Sequence, residues 1–278
     1  MTHENYLTSK KNLSVNIITL LSIFIIVFGI LLRFNSLDKK LFWHDEAISM
    51  TRISGTFDSE IYSFFENNNQ SVVKLSEFSK LRRLQPNRTI IDTIKTGLED
   101  SHVTPLYYIL GRAWISLFGD SIATIRALSA FLGVGSIGAM FWCTYELSRS
   151  TRAGLFAAAL LASSPFMVLY SQEARMYSLW CLTILISHGC FLRALRDRTR
   201  ISWILYAFAI AISAYSHLFT IFVVASHVIY LFLISIRSKF KAQAKALLKS
   251  YILSLAGALI LFAPWISVIL FNISSQKC

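Results

Sequence analysis

Charge is what this chain has least of. Only 15% of its 278 residues are charged against 55% hydrophobic, and mean hydropathy is +0.55. A soluble globular domain carries roughly a quarter charged residues, and a water-facing fold cannot hide this much apolar surface, so that class is excluded. Cysteine is scarce too. Of Cys143, Cys181, Cys190 and Cys278, the first three sit inside apolar runs, which excludes a disulfide framework or a zinc spacing and leaves small buried hydrophobes. The sequence shows no internal repeat and no small-residue cleavage site. The apolar run from Ile17 to Leu32 ends in Arg33 and is read as a first membrane span rather than a leader. Acidic residues number 15 against 27 Lys and Arg, a formal charge of +12. A basic excess can mean nucleic acid, but it also collects on the cytoplasmic loops of membrane proteins, so its placement decides.

What is present is a series of apolar runs. A hydrocarbon core about 30 Å thick takes roughly 17 to 25 helical residues, and stretches near 13–33, 122–147, 153–170, 176–192 and 250–270 meet that length. The stretch Ile201 to Ile236 would make one helix of about 54 Å at about 1.5 Å per residue, too long for one crossing. It folds better as a hairpin turning at Tyr215-Ser216-His217, with spans near 201–215 and 218–236.

Thr104 to Gly119 is also apolar, and its path sets the side of everything after it. If it lies flat at the surface, Lys10, Lys11, Arg149, Arg152, the arginines from Arg193 to Arg200 and the basic run from Arg237 to Lys249 all share one side, thirteen Lys and Arg in all. If it crosses, eleven of the thirteen move outside, against the tendency of short basic loops to stay cytoplasmic. The flat reading therefore wins. It suits about 16 residues with Arg112 near the middle and Tyr107, Tyr108 and Trp114 alongside. The predicted fold class is thus all-α integral membrane with about seven transmembrane helices. The N-terminus is cytoplasmic, the C-terminus is outside, and a long first extracytoplasmic loop covers 34–121. That loop holds eleven of the fifteen acids, and connections this long are often functional. Residues 1–278 read as one membrane-embedded module in the plasma or inner membrane, with lipid rather than nucleic acid as partner.

Just beyond the first span, Trp43-His44-Asp45-Glu46-Ala47 sets two carboxylates among interface aromatics. Adjacent helical residues point about 100° apart, so Asp45 and Glu46 have different work, one facing a reacting group and the other orienting or pairing. The alternative is an acidic first turn stabilised by the helix dipole. A second feature, Tyr170-Ser171-Gln172-Glu173-Ala174-Arg175-Met176-Tyr177, falls on the same outer face. There Glu173 either serves chemistry or opens a helix, and Arg175 either meets substrate or snorkels to headgroups. Arg126, near the outer end of the second span, is costly in lipid unless it snorkels or faces a polar cavity, where it can meet a phosphate.

In order, Trp43 to Ala47, His102-Val103-Thr104-Pro105-Leu106-Tyr107-Tyr108, Phe118-Gly119-Asp120-Ser121 with Arg126, and Tyr170 to Tyr177 resemble the GT-C glycosyltransferases. They are similar in particular to the protein O-mannosyltransferase and aminoarabinose transferase branch, from about Arg33 to Trp265. The resemblance implies an Asp-Glu motif opening the first external loop, membrane-parallel helices within that loop, and a polyprenyl-phosphate sugar as donor. It also makes His102 a substrate-binding candidate. The chain departs from the family in having Val103-Thr104 before Pro105 where relatives have His-Pro-Pro-Leu, and relatives usually continue further. A partner chain supplying a missing C-terminal region is therefore an expectation.

The function expected is inverting transfer of a hexosyl or pentosyl group from the lipid-phosphate donor to an acceptor at the outer face, the acceptor being a lipid, glycan or protein. Asp45 takes the acceptor's proton as base, and Glu46 and Glu173 orient the acceptor or hold a cation. Arg126 and Arg175 stabilise the leaving phosphate. A divalent metal is compatible with these acids but not required, since they show no ligand spacing. Two other classes fit the composition: an inactive or accessory subunit of the same fold, and a transporter. A transporter would carry ionisable residues at mid-membrane depth or broken helices lining a path, whereas here Pro165 and Pro264 lie near outer helix ends.

Overall fold

The structure, a computed structural model, describes the backbone of residues 3–67, 75–99, 103–237 and 241–275 and the side chains within 17–66, 77–99, 103–236 and 245–271. His102, Asn68, Asn69, Asp100 and Cys278, with the side chains of Lys10, Lys11, Asn67, Arg237 and Lys241, lie outside the described residues. All regular elements among the described residues are helices. In chain order they are α1 (His3–Phe34), α2 (His44–Ser54), α3 (Asp58–Asn67), α4 (Leu75–Leu81), α5 (Ile90–Leu98), α6 (Leu106–Phe118), α7 (Ile122–Ser148), α8 (Thr151–Ser163), α9 (Pro165–Ser171), α10 (Tyr177–Asp197), α11 (Arg200–Ser216), α12 (Thr220–Arg237) and α13 (Lys241–Ser275).

Four of these, α1, α7, α10 and α13, are long and apolar enough to cross a membrane, and α8 with α9 makes a fifth if the bent pair counts as one. The bend is 64° and has a local cause. Pro165 brings no N–H, and Ser164, held before a proline, is extended at φ −64°, ψ 118°. The Ser164 N–H still reaches the Leu161 carbonyl at 3.3 Å, and the fully buried Arg33 from α1 adds donors at this end of α8, Nη1 to the Ala162 carbonyl at 2.9 Å and Nη2 to Leu161 at 3.2 Å. The same Nη1 donates to the Gly29 carbonyl at 2.7 Å. A side chain at Gly29 would collide with the Ala162 carbonyl, so α1 and α8 touch backbone to backbone there.

The long apolar run breaks as its polar interruption predicts: α11 ends at Ser216, His217 leaves the helix, and α12 starts at Thr220. At about 1.5 Å per residue the two helices are about 26 and 27 Å long, just under a hydrocarbon core of about 30 Å. On the same scale the 13 residues of α6 reach about 20 Å, too short to cross.

Helix α7 packs on α8 and α10, α10 on α11, α11 on α13, and α1 on α8. At one end of this bundle sit the loop helices α2 to α6. Their core joins Met50 and Ile53 of α2, Tyr107, Tyr108 and Ile115 of α6, Ile125 and Leu128 of α7, and Leu179 of α10. Polar ties hold the loop helices to one another. Arg52 donates to the Thr96 carbonyl at 3.0 Å, the Thr93 hydroxyl to the Ile53 carbonyl at 3.0 Å, and Arg112 to the Ser54 carbonyl at 2.9 Å. The end of α13 joins the same assembly, because Trp265 Nε1 donates to the Val103 carbonyl at 3.2 Å. One residue earlier Pro264 interrupts the α13 ladder, and the Tyr215 hydroxyl donates to the nearby Leu261 carbonyl at 3.0 Å. At the opposite end of the bundle, Glu146 of α7 pairs with Arg149 at 2.9 Å and with Arg196 of α10.

Candidate active site

Helix α2 starts after an extended Trp43, and its first turn carries Asp45 and Glu46 where the helix dipole favours negative charge. Helical geometry then sends the two carboxylates different ways. Glu46 points inward and is fully buried. Its Oε1 accepts from Arg126 Nε and from the Ala174 N–H, both at 2.8 Å, and its Oε2 from Arg126 Nη2 at 2.6 Å. The remaining donors of Arg126 also stay within the protein. Nη1 donates to the Leu37 carbonyl at 2.7 Å and the Lys40 carbonyl at 3.0 Å, and Nη2 to the Leu41 carbonyl at 3.0 Å. All five N–H groups of Arg126 are thereby used, and none is left for a phosphate in this arrangement. What the guanidinium does hold is the chain entering α2.

Asp45 remains at the surface, its side chain one-third exposed. Arg175, from the short turn between α9 and α10, lies against it: Nη2 is 3.5 Å from Asp45 Oδ2, while Nη1 donates to the Asp45 carbonyl and the Ser49 hydroxyl, each at 3.2 Å. The Arg175 Nε has no hydrogen-bond partner. Two residues before Arg175, Glu173 pairs with Lys40 at 2.9 Å, the carboxylate buried and the ammonium one-third exposed. The turn 172–175 is fixed from both sides. Gln172 Nε2 donates to the Leu32 carbonyl at 2.7 Å, and below Arg175 its carbonyl accepts from the Ser129 hydroxyl at 3.4 Å, which also bonds the Tyr107 hydroxyl at 2.8 Å.

The structure therefore brings Asp45, Glu46, Arg126, Glu173 and Arg175 together from three distant stretches, Arg126 with Glu46 inside and Asp45 with Arg175 outside. His102 lies outside the described residues. Three neighbours carry no sequence signal of their own. Lys40 is one of two lysines before an acidic motif, Ser49 is a helical serine one turn after Asp45, and His217 marked a turn. His217 stacks on Trp180 with ring centres 4.7 Å apart, and its Nδ1 accepts from the Phe219 N–H at 3.1 Å, which fixes the remaining proton on Nε2. Burial first, then the positive charge of Arg175, lowers its pKa from the ordinary histidine value. Among the described residues no three of His, Cys, Asp and Glu gather as metal ligands would.

Residues 102–268, well over half of the chain, match the family described as dolichyl-phosphate-mannose-protein mannosyltransferase. The chain belongs to that family. As a member of the mannosyltransferase family it is a membrane-borne, GT-C-like glycosyltransferase, in keeping with its apolar helices. The match takes in Arg126, Glu173 and Arg175 and begins at His102, so Asp45 and Glu46 lie ahead of it. No curated protein and no solved structure matches the chain.

Proposed function

We propose that the protein transfers a sugar from a polyprenyl-phosphate donor to an acceptor at the extracytoplasmic face of the plasma or inner membrane, with inversion and with Asp45 as base. The observation that carries this reading is the unequal treatment of two neighbouring carboxylates. Glu46 is locked to Arg126, whereas Asp45 is accessible and held only by a 3.5 Å pairing with Arg175. An accessible carboxylate can take the proton of an attacking hydroxyl or amine, which a fully bonded one cannot. As the acceptor oxygen or nitrogen bonds to the anomeric carbon, the bond from that carbon to the phosphate oxygen breaks and the lipid phosphate leaves with its electrons. Arg175, whose Nη2 makes only the 3.5 Å pairing with Asp45, and Lys40, one-third exposed, are the cations placed to meet that charge.

In this proposal Glu46 and Arg126 are positioning residues that fix the first turn of α2, and Glu173 sets Lys40. His102 is carried into the same proposal as a substrate-binding residue on the family resemblance alone. The seven-span topology belongs to the same reading, with the Asp45 end of the bundle outside and the Glu146–Arg196 end cytoplasmic.

Purified protein in lipid, supplied with defined polyprenyl-phosphate sugars and candidate acceptors, should release polyprenyl phosphate and give a product of opposite anomeric configuration. Turnover by Asp45→Asn at the normal rate with saturating donor would remove the base assignment. Labelling of a cysteine placed at Arg149 from the outside would reverse the topology.

A further inference from the structure

Helix α2 has a third face, and it borders a cavity of about 360 Å³. Phe42, Trp43 and His44 enter its wall at the start of α2, Phe65 closes it from α3, and Phe78 and Arg82 from the α4 side. Trp43 and Phe65 are each 39% exposed although they belong to the loop helices rather than to the spans. Among the described residues no carboxylate lines the space. The one charged side chain among its described lining residues is Arg82, whose guanidinium lies 4.6 Å over the Phe42 ring and whose buried Nε has no hydrogen-bond partner. Among the described residues Arg82 makes no ion pair, whereas nearby Arg88 pairs with Glu60 and Arg112 donates to backbone carbonyls. The charge close to Arg82 is the like charge of Arg83, which together with the larger effect of burial lowers its pKa from the usual arginine value.

We propose that this cavity is the acceptor subsite and that it takes a sugar residue bearing a carboxylate or a phosphate. The inference rests on the transfer reading above and deepens it. A pyranose presents apolar C–H faces and polar edges, which suits walls of aromatic rings with a polar group at one end. The unmatched guanidinium supplies that group, since arginine meets carboxylate and phosphate with two parallel N–H donors. Position supplies the link to chemistry. His44 lines the cavity, and Asp45, the next residue, stands about 100° round the helix on the adjoining face, so a ring seated against Trp43 lies beside the base and reaches it only with groups that project past His44. The occupant chosen is a sugar rather than a lipid chain because a chain would leave Arg82 without a counter-charge.

The test needs no donor. Protein in nanodiscs of zwitterionic lipid is titrated with methyl β-glucuronide and with methyl β-glucoside, followed by tryptophan fluorescence, with Trp43→Phe identifying the signal. The charged sugar should bind about tenfold more tightly, the order expected of a charge-assisted contact. Arg82→Gln should bring it down to the level of the neutral one, and Arg82→Lys should fall between. Ala47→Phe, which fills the cavity from α2, should weaken both sugars and serves if the Arg82 variants do not fold. Equal affinity for the two sugars, no saturable signal from either, unchanged selectivity in Arg82→Gln, or displacement of the glucuronide by anionic lipid would overturn the proposal. Such a result would leave the transfer reading standing, and a failed transfer assay would leave this binding measurement readable.

Discussion

The two ends of the α7–α10 pair handle acidic groups in opposite ways. At the Glu146 end acids are outnumbered. Glu146, its side chain 6% exposed, accepts from Trp142 Nε1 at 3.2 Å and pairs with Arg149 and Arg196, while Asp197 pairs with Arg193 at 3.2 Å and Arg196 at 2.7 Å. At the other end Glu46 is as fully satisfied, Glu173 has one short pairing with Lys40, and Asp45 has a single long pairing and open access. Saturated acids fasten helices; the one left short of partners can exchange a proton. Charge clustering alone does not mark a site, and the difference between the ends is a matter of spare capacity.

Removing the spare capacity should have the largest effect. Asp45→Asn keeps the shape and loses the base, so transfer should fall by about 10²- to 10⁴-fold while the unfolding midpoint is unchanged, read by polyprenyl phosphate release beside a melting curve. Glu46→Gln attacks the saturated neighbour and should do the reverse at first. It leaves Arg126 buried without its counter-charge, a loss of roughly 3–5 kcal/mol in stability, and activity should disappear with the fold. An equal fall in activity without any loss of stability would move Glu46 from positioning to chemistry.

At the opposite end Glu146→Gln should cost only about 1 kcal/mol, because its arginine partners are more than a third exposed, and transfer per folded molecule should not change. The smallest effect concerns His217. Its folded pKa lies below its unfolded value of about 6.5. Between those two values the unfolded chain binds more protons, so stability is present above about pH 6.5 and is lost as pH falls toward the folded pKa. His217→Gln should flatten that slope between pH 7 and pH 5, and an unchanged slope would assign it to another group.

Much of the scaffold is legible in the sequence because lipid imposes a simple requirement of apolar length. The runs near 122–147, 176–192 and 250–270 lie within α7, α10 and α13, and the hairpin turns at His217 because that is where polarity interrupts it. The run near 153–170 hides a 64° bend, since apolar content does not report that Pro165 splits the helix or that Arg33 donates to the carbonyls at the break. At the site, convergence of the Asp45 and Arg175 motifs follows from both standing at one end of the bundle. How Asp45 and Glu46 divide their work does not, because it depends on which face of α2 meets Arg126, and that is decided by packing 80 residues away. Lys40 was unreadable for the same reason, its partner lying 133 residues further on.

The proline of α13 has a mechanical consequence. A helix is weakest where its ladder lacks a rung, and in α13 that place is Pro264, one residue before Trp265 fastens to Val103. A displacement of the loop helices is thus taken up at a soft joint, with Tyr215 braced against the Leu261 carbonyl just below it. The remainder of α13 is spared the strain. The loop helices are fastened to α13 beside the weakest point of its ladder, whereas their shared core with α7 and α10 and the buried Arg126–Glu46 pair hold them to the bundle directly.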